Sequence, residues 1–168
     1  MLRIIDFCRY YVLLFFVGFL LRLWGFWNIE GGDEYNEVFE ALRIASGNFN
    51  TERWIKKTFK NILAIEYGIY FVIGWIFNMF SSLPDFARHI VRDFTPLLYI
   101  GRITSAILGT FSIVLLYQIG KRIYSQEVGL IAAVLLAFNY ICVYQSHLCL
   151  TDIPLLFFVL LNYAINLI

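Results

Sequence analysis

An all-α, multi-pass transmembrane helical protein is the fold class this sequence predicts, and three observations predict it. Hydrophobic residues fill 61% of the 168 positions and charged residues only 15%, against about half and about a quarter in ordinary soluble domains. Four runs with at most one charge approach the roughly 20 residues that a spanning helix needs. Aromatic residues reach 19%, the kind of enrichment found where membrane meets water. The same figures exclude a disordered chain. A net charge of +1 with no long basic run offers no footprint for nucleic acid. Cys8, Cys142 and Cys149 make neither a metal spacing nor an even disulfide set, and in apolar runs they read as small hydrophobes.

The first predicted helix covers about residues 10–27, interrupted by Arg22. No small-residue cleavage site follows it, so it is not read as a cleavable signal. The others cover about 97–120, with Arg102 near the start, 128–145 and 153–168. The chain end falls inside the last, which predicts the front part of a longer protein. A further apolar run, Ile62 to Phe80, contains Glu66 and is long enough to cross. Lys121 and Arg122 make the only purely basic short loop, and with Arg3 and Arg9 they favour a cytoplasmic N-terminus and a cytoplasmic loop at 121–122. An even number of crossings must then separate the two. On that argument Ile62–Phe80 lies along the surface or dips in, within one external segment of about residues 28–96. That segment carries seven basic and nine acidic residues, so no basic excess holds it inside.

The external segment opens NIEGGDEYNEVFEALRIASGNFN. Gly31 and Gly32 break the first helix, and Asp33 stands where an N-cap belongs. Val38, Leu42 and Ala45 recur at helical spacing, and Gly47 with Asn48 closes the element. Asp33, Glu34 and Glu37 read either as capping and dipole compensation or as carboxylates presented beside a glycine hinge, one of them a general base. Thr51 to Asn61 sets Trp54, Ile55 and Phe59 against Lys56, Lys57 and Lys60, a basic amphipathic helix suited to the headgroup layer. Its lysines, or Arg53, anchor the chain or meet the phosphate of a lipid-linked substrate.

Between the third and fourth helices the chain reads YQSHLCLTDIP. His147 reads as a satisfied core residue and Asp152, followed by Ile153 and Pro154, as the cap of the next helix. Crowded with Ser146 and Thr151 at one membrane face, the same residues are functional candidates, because burying ionisable groups there is costly. The predicted topology puts this turn, Asp33 and Arg102 on one side. No P-loop, dinucleotide fingerprint or HExxH zinc motif occurs.

The stretch from Tyr99 to Phe158 resembles glycosyltransferase family 39, the protein O-mannosyltransferase and aminoarabinose transferase-like group of GT-C enzymes. The resemblance rests on Arg102 opening a helix, the Gly120-Lys121-Arg122 loop, the GLIAA helix, Ser146-His147, and Thr151-Asp152-Ile153-Pro154. GDEY at Gly32 to Tyr35 is similar to the family's Asp-Glu in the first external loop. The family implies a GT-C membrane enzyme that takes a sugar from a polyprenyl-phosphate carrier outside the cytoplasmic membrane and gives it to a protein, lipid or glycan acceptor. Residues 1–168 would be the N-terminal part of its transmembrane domain, with juxtamembrane helices in the external loop. Residue by residue, Asp33 would be the catalytic base, Glu34 its motif neighbour and Asp152 a second active-site acid. His147 would be the accompanying polar residue of that turn and Arg102 structural or phosphate-facing; these two, with Lys56 and Lys57 of the basic amphipathic run, are the substrate-binding candidates. No cofactor is assigned, and a divalent metal is compatible with the chemistry. Two departures stand out: KKTFKNILAIEY lacks the Pro-rich turn of many relatives, and Asn139-Tyr140 replaces a frequent Ser-Pro. The alternative is a non-catalytic membrane scaffold, a transporter fragment, or an inactive relative in which the acidic residues only cap helices.

Overall fold

A computed structural model of the chain describes residues 2–25, 27, 32–48 and 57–167. Eight α-helices follow in order among them, with no strand: α1 (Leu2–Leu23), α2 (Glu34–Ala45), α3 (Lys57–Ile76), α4 (Leu83–Arg92), α5 (Thr95–Ile123), α6 (Gln126–Phe138), α7 (Tyr140–Ser146) and α8 (Asp152–Asn166). The protein is all-α, as expected. Lys56 lies outside the described residues, as do Trp54, Ile55 and the side chain of Lys57.

α5 is the central post. Pro96 opens it, since a proline in the first turn loses no hydrogen bond. Lys121 and Arg122 sit in its last turn, where cations offset the helix dipole. Its buried stripe is rich in small residues, Gly101, Ser105, Ala106, Gly109 and Gly120 among them, which lets other helices approach its backbone. α1, α6 and α8 pack on it. A Cβ on Gly120 would come within 2.7 Å of the Gly129 Cα, and one on Gly129 within 2.6 Å of the Tyr117 carbonyl oxygen. The α5–α6 hairpin therefore closes backbone to backbone.

The expected third helix is broken. Asn139 is extended (φ −64°, ψ 113°), and its Oδ1 accepts from the Cys142 N–H to start α7 afresh. The two pieces meet at 58°. The sequence suggested one helix because the run is apolar throughout. The asparagine ends it because its side chain competes for a backbone N–H.

α2, α3 and α4 form a second layer around Val38, Phe59, Leu63, Tyr67, Phe80 and Phe86. Here α2 buries Glu34, Glu37, Val38, Ala41 and Ile44, a face rotated from the expected Val38, Leu42 and Ala45 line. α3 and α5 are each long and apolar enough to cross a membrane, and α6 with α7 makes a third candidate if the bent pair is one span. α3 touches α5 near that helix's first turns. A Cβ on Gly101 would lie 3.3 Å from Leu63, the Tyr67 hydroxyl donates to the Leu97 carbonyl, and the Thr104 hydroxyl donates to Glu66 at 2.7 Å.

Candidate functional site

Three segments distant in sequence meet at one carboxylate. Glu34 opens α2 and is fully buried. The Arg102 guanidinium, two turns into α5, grips it with two parallel bonds, Nε to Oε1 at 2.9 Å and Nη2 to Oε2 at 2.6 Å. The Cys149 backbone N–H donates to the same Oε1 at 2.5 Å. A bidentate, charge-assisted pair of this kind is strong and fixes geometry as well as distance. Glu34 and Arg102 thus join α2 and α5 to the 147–151 turn. Their pairing also answers how a carboxylate survives burial, since unpaired it would be far too costly.

Glu34 is therefore fully committed, whereas its neighbour Asp33 is exposed and makes no side-chain cap hydrogen bond although it occupies the N-cap position. Capping does not explain Asp33. Asp152 is also exposed, in the first turn of α8 just after the N-cap Thr151. It lines a cavity of about 110 Å³ with Thr58, Phe59, Thr151, Pro154 and Leu155, where the start of α3 meets the start of α8. Asp33 is one residue from Glu34 and Asp152 three from Cys149, so two exposed carboxylates flank one rigid joint.

His147 is buried, and its Nε2 lies 3.2 Å from the Leu21 carbonyl oxygen. A carbonyl only accepts, so that nitrogen carries the proton. The ring thereby satisfies one of the last carbonyls of α1, which have no partner inside the helix. Burial holds the His147 pKa below its ordinary value, and the positive Arg22 and Arg102 add to that, against the opposing pull of the Leu21 carbonyl. His147 is thus placed as a clasp between α1 and the turn. Arg22, which sequence reading treated only as an interruption, is almost wholly buried. It donates from Nη1 to the Gly18 carbonyl at 3.1 Å. Gly109 makes room for it, since a Cβ there would lie 2.9 Å from Nε and 2.7 Å from the Ser146 Oγ. Its signal in the sequence was a lone charge within an apolar run.

Lys60 does not face the headgroup layer as expected. It is buried against α2, bonded to Glu40 and 3.5 Å from Glu37. Burial suits it because two carboxylates offset its charge. Among the described residues no group of three His, Cys, Asp or Glu side chains could hold a metal ion.

The fold and this joint define a helical membrane protein with a charged, cross-linked seam at one end of its central helix. Residues 96–166 match the family described as dolichyl-phosphate-mannose-protein mannosyltransferase. Over that stretch the chain is similar to glycosyltransferase family 39, and the match supports a mannosyltransferase-type glycosyltransferase. It takes in Arg102, His147 and Asp152 and leaves Asp33 and Glu34 outside. No curated protein and no solved structure gives a significant match.

Proposed function

We propose that the chain acts in transferring a sugar from a polyprenyl-phosphate carrier to an acceptor hydroxyl at the outer face of the cytoplasmic membrane, a protein being the acceptor class the matched family suggests. The observation that carries this reading is the Glu34–Arg102–Cys149 joint. It fastens the Asp-Glu pair, which the family match does not reach, onto the segment that the match does reach. Asp33 is the base: it takes the proton as the acceptor oxygen attacks the anomeric carbon, while the sugar–phosphate bond breaks and the lipid phosphate leaves. Asp152 is the second acid of the cleft, at the mouth of the small cavity. Glu34 and Arg102 act through position. Lys56 and Lys57 remain the cations assigned to the lipid phosphate.

General-base assistance is worth about 100- to 10,000-fold. Asp33→Asn in the full-length protein is expected to lose most of that in a membrane transfer assay with a lipid-phosphate sugar donor. A capping role would be insensitive, since Asp and Asn cap equally well. Near-normal transfer by a well-expressed Asp33→Asn protein would remove Asp33 from catalysis.

A further inference from the structure

After Asp152, α8 carries no charge, yet its second half holds two asparagines, Asn162 and Asn166. Both are exposed. The Asn166 Nδ2 donates to the Asn162 carbonyl and to the Asn162 Oδ1, each at 2.9 Å. Among the described residues nothing accepts from the Asn162 Nδ2 or donates to the Asn166 Oδ1. With the exposed Asp152 at a membrane face, a rise of about 1.5 Å per residue places Asn162 about 15 Å deeper, midway through a hydrocarbon layer roughly 30 Å thick. Lipid tails offer nothing to an amide there, so polar groups at that depth turn to another helix or to a water-filled cavity.

The residues around the two amides favour a helix. Leu155, Val159, Asn162 and Asn166 recur at spacings of four, three and four, the spacing of a seam between two supercoiled helices. Leu155 is 47% and Val159 57% exposed, whereas Ile153 and Pro154 are buried. Two copies inserted in one orientation pair about a two-fold axis along the membrane normal, which sets each residue opposite its own equivalent at the same depth. An amide carries both donors and an acceptor, so Asn162 opposite Asn162 and Asn166 opposite Asn166 satisfy each other. A helix of another sequence would need polar groups at both depths. The same helix has them by identity.

We propose that the Leu155–Val159–Asn162–Asn166 stripe of α8 docks a second copy of the chain, paired helix to helix through the two asparagines. The test takes the full-length protein, its native cysteines removed, into phosphatidylcholine vesicles. Under mild oxidation Val159→Cys should join two copies by a disulfide, and Leu161→Cys, about 160° away around the helix, should not. Asn162→Leu with Asn166→Leu suits lipid and should insert as well as the unaltered protein. Its dimerisation, counted by photobleaching steps as the vesicles are diluted in lipid, should weaken about three- to twentyfold for each amide. Monomers at every dilution of the unaltered protein overturn the proposal, as does undiminished dimerisation of the double leucine variant. Absence of a Val159→Cys disulfide overturns it too, and gives the stripe to another helix of the same polypeptide. Modification of Asn162→Cys by a water-soluble maleimide would set the amides on a water-filled cavity, again against a paired copy. Because the readout is the number of copies, it is independent of the outcome for Asp33.

Discussion

Adjacent in the chain, Asp33 and Glu34 live in opposite electrostatic settings, and the difference separates function from stability one residue at a time. Glu34 faces a buried guanidinium and a backbone N–H. Glu34→Gln keeps the shape but removes the negative charge that offsets the buried Arg102 guanidinium, a loss of about 3–5 kcal/mol that denaturant unfolding in micelles should show. Asp33→Asn should leave the same transition in place. His147 supplies a pH test. The folded state holds its pKa below 6.5, so as pH falls through that value the unfolded chain binds a proton first. Stability should be complete above about pH 6.5 and decline below it. His147→Gln, which can still donate to the Leu21 carbonyl, should flatten that decline in melting curves taken across the range. An unchanged slope would remove the His147 clasp.

Between elements, space is decided by glycine as much as by side chains. The Gly120–Gly129 crossing admits no Cβ on either side without moving backbone. Gly129→Ala is therefore expected to cost about 1–3 kcal/mol, although alanine is the better helix former in isolation. A stabilised α6 in the thermal melt would mean that the hairpin is not closed there. At Asn139 the break depends on a side-chain cap, and Asn139→Ala should cost about 1 kcal/mol without touching the joint at Glu34. The sequence predicted both helices of this hairpin by hydrophobic run length. It could not place the 58° bend, because one asparagine in an apolar run signals a cap only once the neighbouring N–H is known to need one.

For the molecule as a whole, the side on which α3 runs decides whether the two carboxylate clusters share a membrane face. Leu63, Glu66 and Tyr67 meet residues 97–104, the beginning of α5, and α3 is long and apolar enough to cross a membrane. The expected surface position of α3 is open to a labelling test. In a cysteine-free background, single cysteines at the exposed Asn36 and Ser82 should label from the same side and one at the exposed Ser125 from the other. Labelling of Ser82 on the side of Ser125 would make α3 a span and separate the two carboxylate clusters. Composition alone determined that this is an all-helical membrane protein, and apolar runs alone located α5 and α8 to within a few residues, because burial in lipid selects length and hydrophobicity residue by residue. α1 instead begins at Leu2 and ends at Leu23, ahead of the expected 10–27 run, since its charged first turns are helical too. The motifs singled out Asp33, Arg102 and Asp152 by residue type. Only the tertiary structure decided their surroundings. It paired Glu34 with Arg102 across 68 positions, hid Lys60 beneath α2, and left Asp33 and Asp152 exposed. Whether a charge is buried depends on which partner reaches it through space, and nothing local to either residue encodes that partner.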